Sequence, residues 1–179
     1  MKKNVFFKTA VLCLSMLAVG MSFTACDDDD DNDPAGSKNE MSKVKAEYSV
    51  MLSEAWYTFF DVEVVYTSVA GQDTITLTED WVYTMDIPYS AAPESFICNV
   101  TAKPKENVPA IVPDSSYTLN ESTNARVSGI LENGAEDDNY GYIGNNETTK
   151  TVPSKGMEKY IKGEHRLFSF SYTPEKKNK

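Results

Sequence analysis

The sequence predicts an all-β domain: an antiparallel β-sandwich with one short helix before its last strand. Apolar and polar residues alternate with period two in many short segments, as expected of strands that bury one face. Turn-forming residues separate these segments, and only one stretch has apolar residues at helical spacing. Residues 45–179, about 135 in number, have the ordinary length of one domain with one hydrophobic core.

The first half of this domain contains five predicted strands and a hairpin. The strands alternate in polarity over residues 47–52, 60–69, 74–78, 81–86 and 96–102. A turn signal at residues 70–73 joins the second strand to the third as a hairpin. Trp81 is expected in the core, where many sandwiches place a tryptophan. Trp56 and Tyr57 would point to opposite faces if they lay on a strand.

The second half is more polar and contains the predicted helix. Residues 105–114 contain two prolines and are expected to run extended or along a sheet edge. Further strands are predicted at residues 116–119, 125–131 and 167–173. Residues 132–149, rich in Asn, Gly and acidic side chains, are expected to form a long loop. The helix is predicted over residues 154–163, with Ser154 as its cap and Gly163 as its end.

Residues 1–25 have the features of a secretory signal peptide. Three lysines precede an apolar run over residues 10–20, and small residues follow before Cys26. The run is shorter than the ~20 residues that a membrane-spanning helix needs, although such a helix is the alternative interpretation. Phe23-Thr24-Ala25-Cys26 resembles a bacterial lipobox, which implies that Cys26 is acylated, becomes the new N-terminus and anchors the chain to a membrane.

An acidic run follows the cysteine at once. It consists of Asp27, Asp28, Asp29, Asp30 and Asp31, with Asp33 close behind. Such a block stays solvated, so residues 26–44 are expected to be a flexible tether. A lipidated cysteine followed by aspartates resembles the export signal of surface lipoproteins in the Bacteroidota. This resemblance implies an outer-membrane location with exposure at the cell surface, and the periplasmic face is the alternative.

Charge and cysteine content limit the possible partners. Loss of the signal peptide leaves 14 basic and 27 acidic residues, a formal charge of −13. Nucleic acid is therefore not an expected partner, because phosphate neutralisation needs clustered Lys and Arg. Cys98 is the only other cysteine beyond the signal peptide and has no partner for an intramolecular disulfide. It is expected to be a buried apolar residue rather than a reactive thiol.

No constellation of residues predicts catalysis, so we expect neither an enzyme nor a cofactor. His165 is the only histidine and is expected to be exposed. Asp61 and Glu63 share a strand face but are expected on the solvent side, opposite an apolar face. The acidic residues of 132–149 do not have the spacing of an EF-hand loop, so a solvated loop is favoured over a calcium site, and no metal site is predicted.

Two weaker patterns suggest contact with sugars. Tyr140 and Tyr142 flank Gly141 in the predicted loop, which makes their rings a candidate glycan-binding pair, with packing or loop anchoring as the favoured interpretation. Asp73-Thr74-Ile75 resembles the O-glycosylation acceptor of exported proteins in the same bacterial group, with Thr74 as the modified residue. Both patterns have simpler interpretations, since the tyrosines can serve packing and a three-residue pattern arises often by chance.

A wider resemblance covers most of the domain. Residues 66–82, Ala102-Lys103-Pro104-Lys105 and Met157-Glu158-Lys159-Tyr160 are similar to segments of small Bacteroidota lipoproteins. The resemblance implies a single immunoglobulin-like sandwich behind an acidic tether, and it names no chemistry. We therefore expect a non-enzymatic envelope or surface lipoprotein that binds protein or surface ligands. The alternative is a glycan-binding accessory lipoprotein of a polysaccharide uptake system.

Overall fold

Two antiparallel four-stranded sheets make up the part of the chain that the computed structural model describes, residues 40–175. The strands and helices, in chain order, are β1 (Met41–Leu52), α1 (Glu54–Phe59), β2 (Phe60–Ser68), β3 (Gly71–Leu77), β4 (Trp81–Pro88), β5 (Phe96–Pro104), β6 (Ser116–Leu131), β7 (Glu136–Pro153), α2 (Ser154–Tyr160) and β8 (His165–Tyr172). A single 3-10 turn, Tyr89–Ala91, follows β4. One sheet has the strand order β4-β1-β6-β7 and the other has β3-β2-β5-β8, so the predicted antiparallel β-sandwich is confirmed.

The predicted signal peptide and most of the predicted tether lie outside the described residues. This applies to residues 1–25, to Cys26 and to the aspartates at 27–31. Residues 37–179 form one compact unit, which contains every strand described above and the whole described core. A unit with its own complete core is expected to fold by itself. Among the described residues, no helix is long and apolar enough to cross a membrane.

The core lies between the two sheets and follows the predicted alternation. On β1, Val44, Ala46, Tyr48 and Val50 are all buried, while the residues between them face outward. On β2 and β5, paired valines and alanines give the other sheet its inner face. Burying one face of each sheet removes apolar surface from water, which is the main favourable term in folding.

The hairpin predicted at residues 70–73 is present between β2 and β3. Ser68 pairs with Gly71, and Val69 and Ala70 form the connection. Gly71 has a φ of +117°, a conformation that glycine adopts without steric cost. The two-residue connection fixes the register of β3 against β2.

The prediction of a long loop over residues 132–149 is wrong. Strand β7 occupies most of it and pairs with β6 from Ser116 opposite Pro153 to Ile130 opposite Glu136. The sequence looks like a loop because β7 is an edge strand with few buried residues. Polar residues on both faces are tolerated there, and pairing with β6 supplies the backbone hydrogen bonds.

The helix before the last strand is present, and a second one was not predicted. Helix α2 begins at Ser154, but Pro153 is its cap residue and no side chain caps it, so the predicted capping role of Ser154 is wrong. Helix α1 buries Trp56 and Phe59. Trp56 is therefore the tryptophan of the deep core, at 2% exposure, whereas Trp81 packs against the core only partly buried.

Candidate functional site: a cleft at the bulged end of strand β7

A bulge in β7 creates the candidate site. Ser128 on β6 pairs with Gly141, whereas the next residue, Gly129, pairs with Asp137. Residues 138–140 are therefore left out of the ladder, and the strand bends at this point. Glycine is required at position 141, because an added Cβ would lie 2.5 Å from the carbonyl oxygen of Val127.

The bulge separates Tyr140 from Tyr142, two residues that would lie on the same face of a regular strand. Tyr142 is 55% exposed, and its ring stacks on Tyr172 at 6.0 Å and 13°. Tyr140 is only 6% exposed and packs edge-on against Tyr172 and Tyr89. Burial raises the pKa of Tyr140 above its ordinary value. The two rings are therefore not presented together: Tyr140 packs inside the bulge, in keeping with the packing interpretation, and Tyr142 remains exposed.

Neighbouring side chains hold the exposed ring in place. Phe170 contacts the ring of Tyr142 at 5.8 Å between centroids, from the strand at the edge of the other sheet. The hydroxyl of Tyr172 accepts a hydrogen bond of 3.1 Å from the backbone N–H of Gly141. A ring that packs on two others has little rotamer freedom left to lose when a ligand binds to it.

Charged residues line the cleft on the outer face of β6 and β7, whereas the Tyr142 ring leaves the inner face, since Tyr142 pairs with buried Val127 and Arg126 pairs with exposed Ile143. The cleft has a volume of about 400 Å³ and extends from Tyr142 to Arg126 and Glu136. The guanidinium of Arg126 donates to both carboxylate oxygens of Glu136, at 2.6 and 2.9 Å. Both side chains are well exposed to water, so the pair contributes at most about 1 kcal/mol and can exchange partners with a ligand.

This arrangement combines three kinds of ligand contact. The ring of Tyr142 offers an apolar face, Arg126 offers donors, and Glu136 offers acceptors. Asp137 and Asp138 add further carboxylates along the bulge.

His165 does not have the exposed position expected from the sequence. Its ring stacks on that of Tyr160 at 4.0 Å between centroids and meets Trp56 and Phe60 edge-on. Its Nε2 lies 2.8 Å from the carbonyl oxygen of Tyr160, to which it donates. The expectation of a surface histidine is therefore wrong, because the ring packs into an aromatic cluster beneath α1 and α2.

The other residues that the sequence singled out lie apart from the cleft. Thr74 is exposed on β3, the outermost strand of the other sheet. Asp61 is exposed and Glu63 forms an ion pair with Lys103 at 3.5 Å on the outer face of β2 and β5. Within residues 40–175, no group of three or more His, Cys, Asp or Glu side chains is arranged to hold a metal ion.

Cys98 is buried and unpaired, as predicted. Its side chain lies in the core on β5, and burial raises the pKa of the thiol from 9.0 to about 12. A thiol with a raised pKa is a poor nucleophile, because the thiolate is the reactive form.

The sequence did not identify Arg126 as a site residue, and it considered Glu136 only among the acidic residues weighed for calcium. The two residues lie ten positions apart, and the pairing of β6 with β7 brings them together. A scan against protein-family models, a search of the curated proteins and a search of the solved structures each found no match. The cleft is therefore interpreted from its own geometry.

Proposed function

We propose that this chain is a non-enzymatic lipoprotein of the bacterial envelope, held at the outer membrane through Cys26, with a β-sandwich that binds a protein or surface ligand. The observation that supports a binding role is the cleft beside Tyr142. The exposed Tyr142 ring is stacked in place on the inner side of β7, and the Arg126–Glu136 pair supplies donors and acceptors in the 400 Å³ cleft on the outer side. Cys26, the acidic run after it and the Ig-like type of the sandwich belong to this proposal on the strength of the sequence alone.

A glycan is the second candidate ligand, and the same cleft favours it specifically. Sugar rings present an apolar face that packs on an aromatic ring, and hydroxyls that hydrogen-bond to charged side chains. Tyr142 supplies an exposed ring at the inner side of β7, and Arg126 and Glu136 supply charged groups on the outer face of the same strand pair. In this form of the proposal, the chain is an accessory that captures polysaccharide for uptake.

Binding of residues 37–179 to immobilised polysaccharides and host glycans tests the two forms of the proposal. If the ligand is a glycan, Tyr142→Ala removes most of the binding, while Tyr142→Phe keeps it because the ring face is retained. Val82→Ala, which truncates another exposed apolar side chain on β4, serves as the matched control and should bind like the unaltered domain.

The outcomes distinguish the candidates. A hit that is lost in Tyr142→Ala and kept in Val82→Ala places the glycan in the cleft. A hit that survives Tyr142→Ala contradicts the cleft as the glycan site. If no glycan binds, whole-cell cross-linking at the cleft should capture a protein partner, and Tyr142→Ala should reduce that capture. If Tyr142→Ala reduces neither glycan binding nor cross-linking to a protein partner, the proposed binding role of Tyr142 is contradicted.

Anchoring is tested separately with the full chain. We expect Cys26→Ala to release the protein from the membrane fraction or to block its maturation, because the acyl chains provide the attachment. Replacement of Asp27–Asp31 by asparagine should leave the chain lipidated and reduce its accessibility to protease added outside the cells. An unchanged membrane fraction for Cys26→Ala would contradict the lipoprotein assignment.

A further inference from the structure

Strand β3 is an open sheet edge without the usual protection against strand pairing. The two sheets have four edge strands among the described residues, namely β3, β4, β7 and β8. Three of them contain features that discourage pairing: a proline at the end of β4, a bulge in β7, and a histidine and an arginine beside a register shift in β8. Strand β3, Gly71–Leu77, contains no proline, lysine or arginine, and its pairing with β2 has no register shift.

The hairpin geometry determines which backbone groups of β3 are free. Residues paired across a two-residue connection, here Ser68 and Gly71, are hydrogen-bonded to each other, and the pattern alternates from there. Gln72, Thr74 and Thr76 therefore direct their N–H and C=O groups away from β2. The N–H of Thr74 confirms this direction, because it donates to the side-chain Oδ1 of Asp73 at 2.8 Å rather than to β2.

The exposed edge is also complementary to itself. Antiparallel pairing of two β3 strands centred on Thr74 places Gln72 opposite Thr76 and Asp73 opposite Ile75. The three residues with free backbone groups then face each other, so each donates and accepts across the new interface. No like charges meet in this register, and the central pair of Thr74 residues is of the kind that stabilises neighbouring strands.

We propose that β3 of one chain pairs antiparallel with β3 of a second copy, in a two-fold symmetric dimer centred on Thr74. The two sheets β3-β2-β5-β8 then become one continuous sheet across the interface. Asp73 restrains this pairing, because its carboxylate occupies the N–H of Thr74 until the second strand displaces it. A sugar on Thr74 would crowd the same position, so glycosylation and pairing exclude each other on one molecule.

Single cysteine substitutions in residues 37–179 test both the pairing and its register. Opposite Cα atoms in a hydrogen-bonded antiparallel pair are about 5.5 Å apart, within the range that a disulfide bridges. Thr74→Cys should therefore form a disulfide-linked dimer as the main product of mild oxidation. Gln72→Cys and Thr76→Cys should not, because each residue would lie about 13 Å from its own copy, four residues along the strand.

Two controls keep the result interpretable. Thr84→Cys places an exposed thiol on β4 and reports the cross-linking due to random collision. Cys98 is buried, so it does not take part in the native protein. The double variant Gln72→Cys/Thr76→Cys should cross-link again, because its two different positions face each other in the proposed register.

Sedimentation over a wide range of protein concentrations completes the test. The unaltered domain should shift from monomer to dimer as concentration rises, and Thr74→Lys should remain monomeric because it places like charges opposite each other. Thr84→Lys should behave like the unaltered domain. A monomer at every concentration, equal cross-linking by Thr74→Cys and Thr84→Cys, or equal cross-linking by all three β3 variants would each overturn the proposal.

Discussion

Replacement of Gly144 by alanine tests the close approach of the two sheets next to the candidate cleft. Gly144 lies on β7, two residues after Tyr142. An added Cβ would lie 2.8 Å from Cδ2 of Phe170 and 3.6 Å from Cζ of Phe168. Both phenylalanines are buried, so neither ring can move into solvent to relieve the contact. The first contact is closer than carbon atoms tolerate, and either the ring or the strand has to shift.

The expected destabilisation follows from two opposing terms. Adding a methyl group to a well-packed core costs typically about 1–3 kcal/mol. Replacing glycine also restricts the unfolded chain, which offsets about 0.4–1 kcal/mol of that cost. We expect Gly144→Ala to lower the free energy of unfolding by about 1–2 kcal/mol, or the Tm by roughly 3–8 °C for a domain of this size.

Urea denaturation of residues 37–179, followed by circular dichroism, measures this difference. Gly163→Ala is the matched control, because an added Cβ there has no atom within 4 Å and the φ is not positive. We expect that control to be neutral or to stabilise the domain by up to about 1 kcal/mol. If Gly144→Ala is as stable as Gly163→Ala, the close packing of β7 on Phe170 is refuted, and with it the support beneath Tyr142.

Three further predictions follow from the core. Met157→Ala should lower the free energy of unfolding in urea by about 2–5 kcal/mol, because the Met157 side chain is fully buried on the inner side of α2; a loss below 1 kcal/mol would contradict that packing. Native Cys98 should react with a maleimide at pH 8 far more slowly than in denaturant. Burial raises the pKa of this thiol from 9.0 to about 12, so the unfolded chain ionises first and the stability contributed by the neutral thiol is lost between about pH 9 and pH 12. Between about pH 9 and pH 12, the free energy of unfolding should fall less steeply with pH in Cys98→Ala than in the unaltered domain. An equally steep fall in both proteins would contradict the burial of the neutral Cys98 thiol.

The inner strands β1, β2 and β5 could be predicted from the sequence because one face of each is buried. Apolar residues recur there at every second position, and the buried positions have the same spacing. Helix α1 could not be predicted in the same way. It is six residues long and contains Trp56 and Tyr57, which favour strands, so tertiary burial of Trp56 and Phe59 rather than local propensity makes it a helix.

Strand β7 escaped prediction for a different reason. Its residues are polar on both faces, and its pairing with β6 depends on contacts between distant parts of the chain. Nothing local distinguishes such a strand from a loop. The candidate site was equally hard to predict, because the bulge at residues 138–140 determines which of the two tyrosines, Tyr140 or Tyr142, is exposed. A shift of one residue in register reverses the faces of all the residues that follow.

The two polar edge strands, β3 and β7, are the part of this chain to which its proposed interactions belong. An edge strand is released from the requirement to bury a face, so its sequence can serve a ligand or a second strand. The two polar edges use that freedom differently. Strand β7 interrupts its ladder with a bulge, which opens a cleft beside Tyr142 and removes free backbone from pairing. Strand β3 keeps a regular ladder with exposed backbone groups, which suits pairing and leaves Asp73 as its restraint. If both proposals hold, Tyr142→Ala should abolish ligand binding without changing dimerisation, and Thr74→Lys should do the reverse.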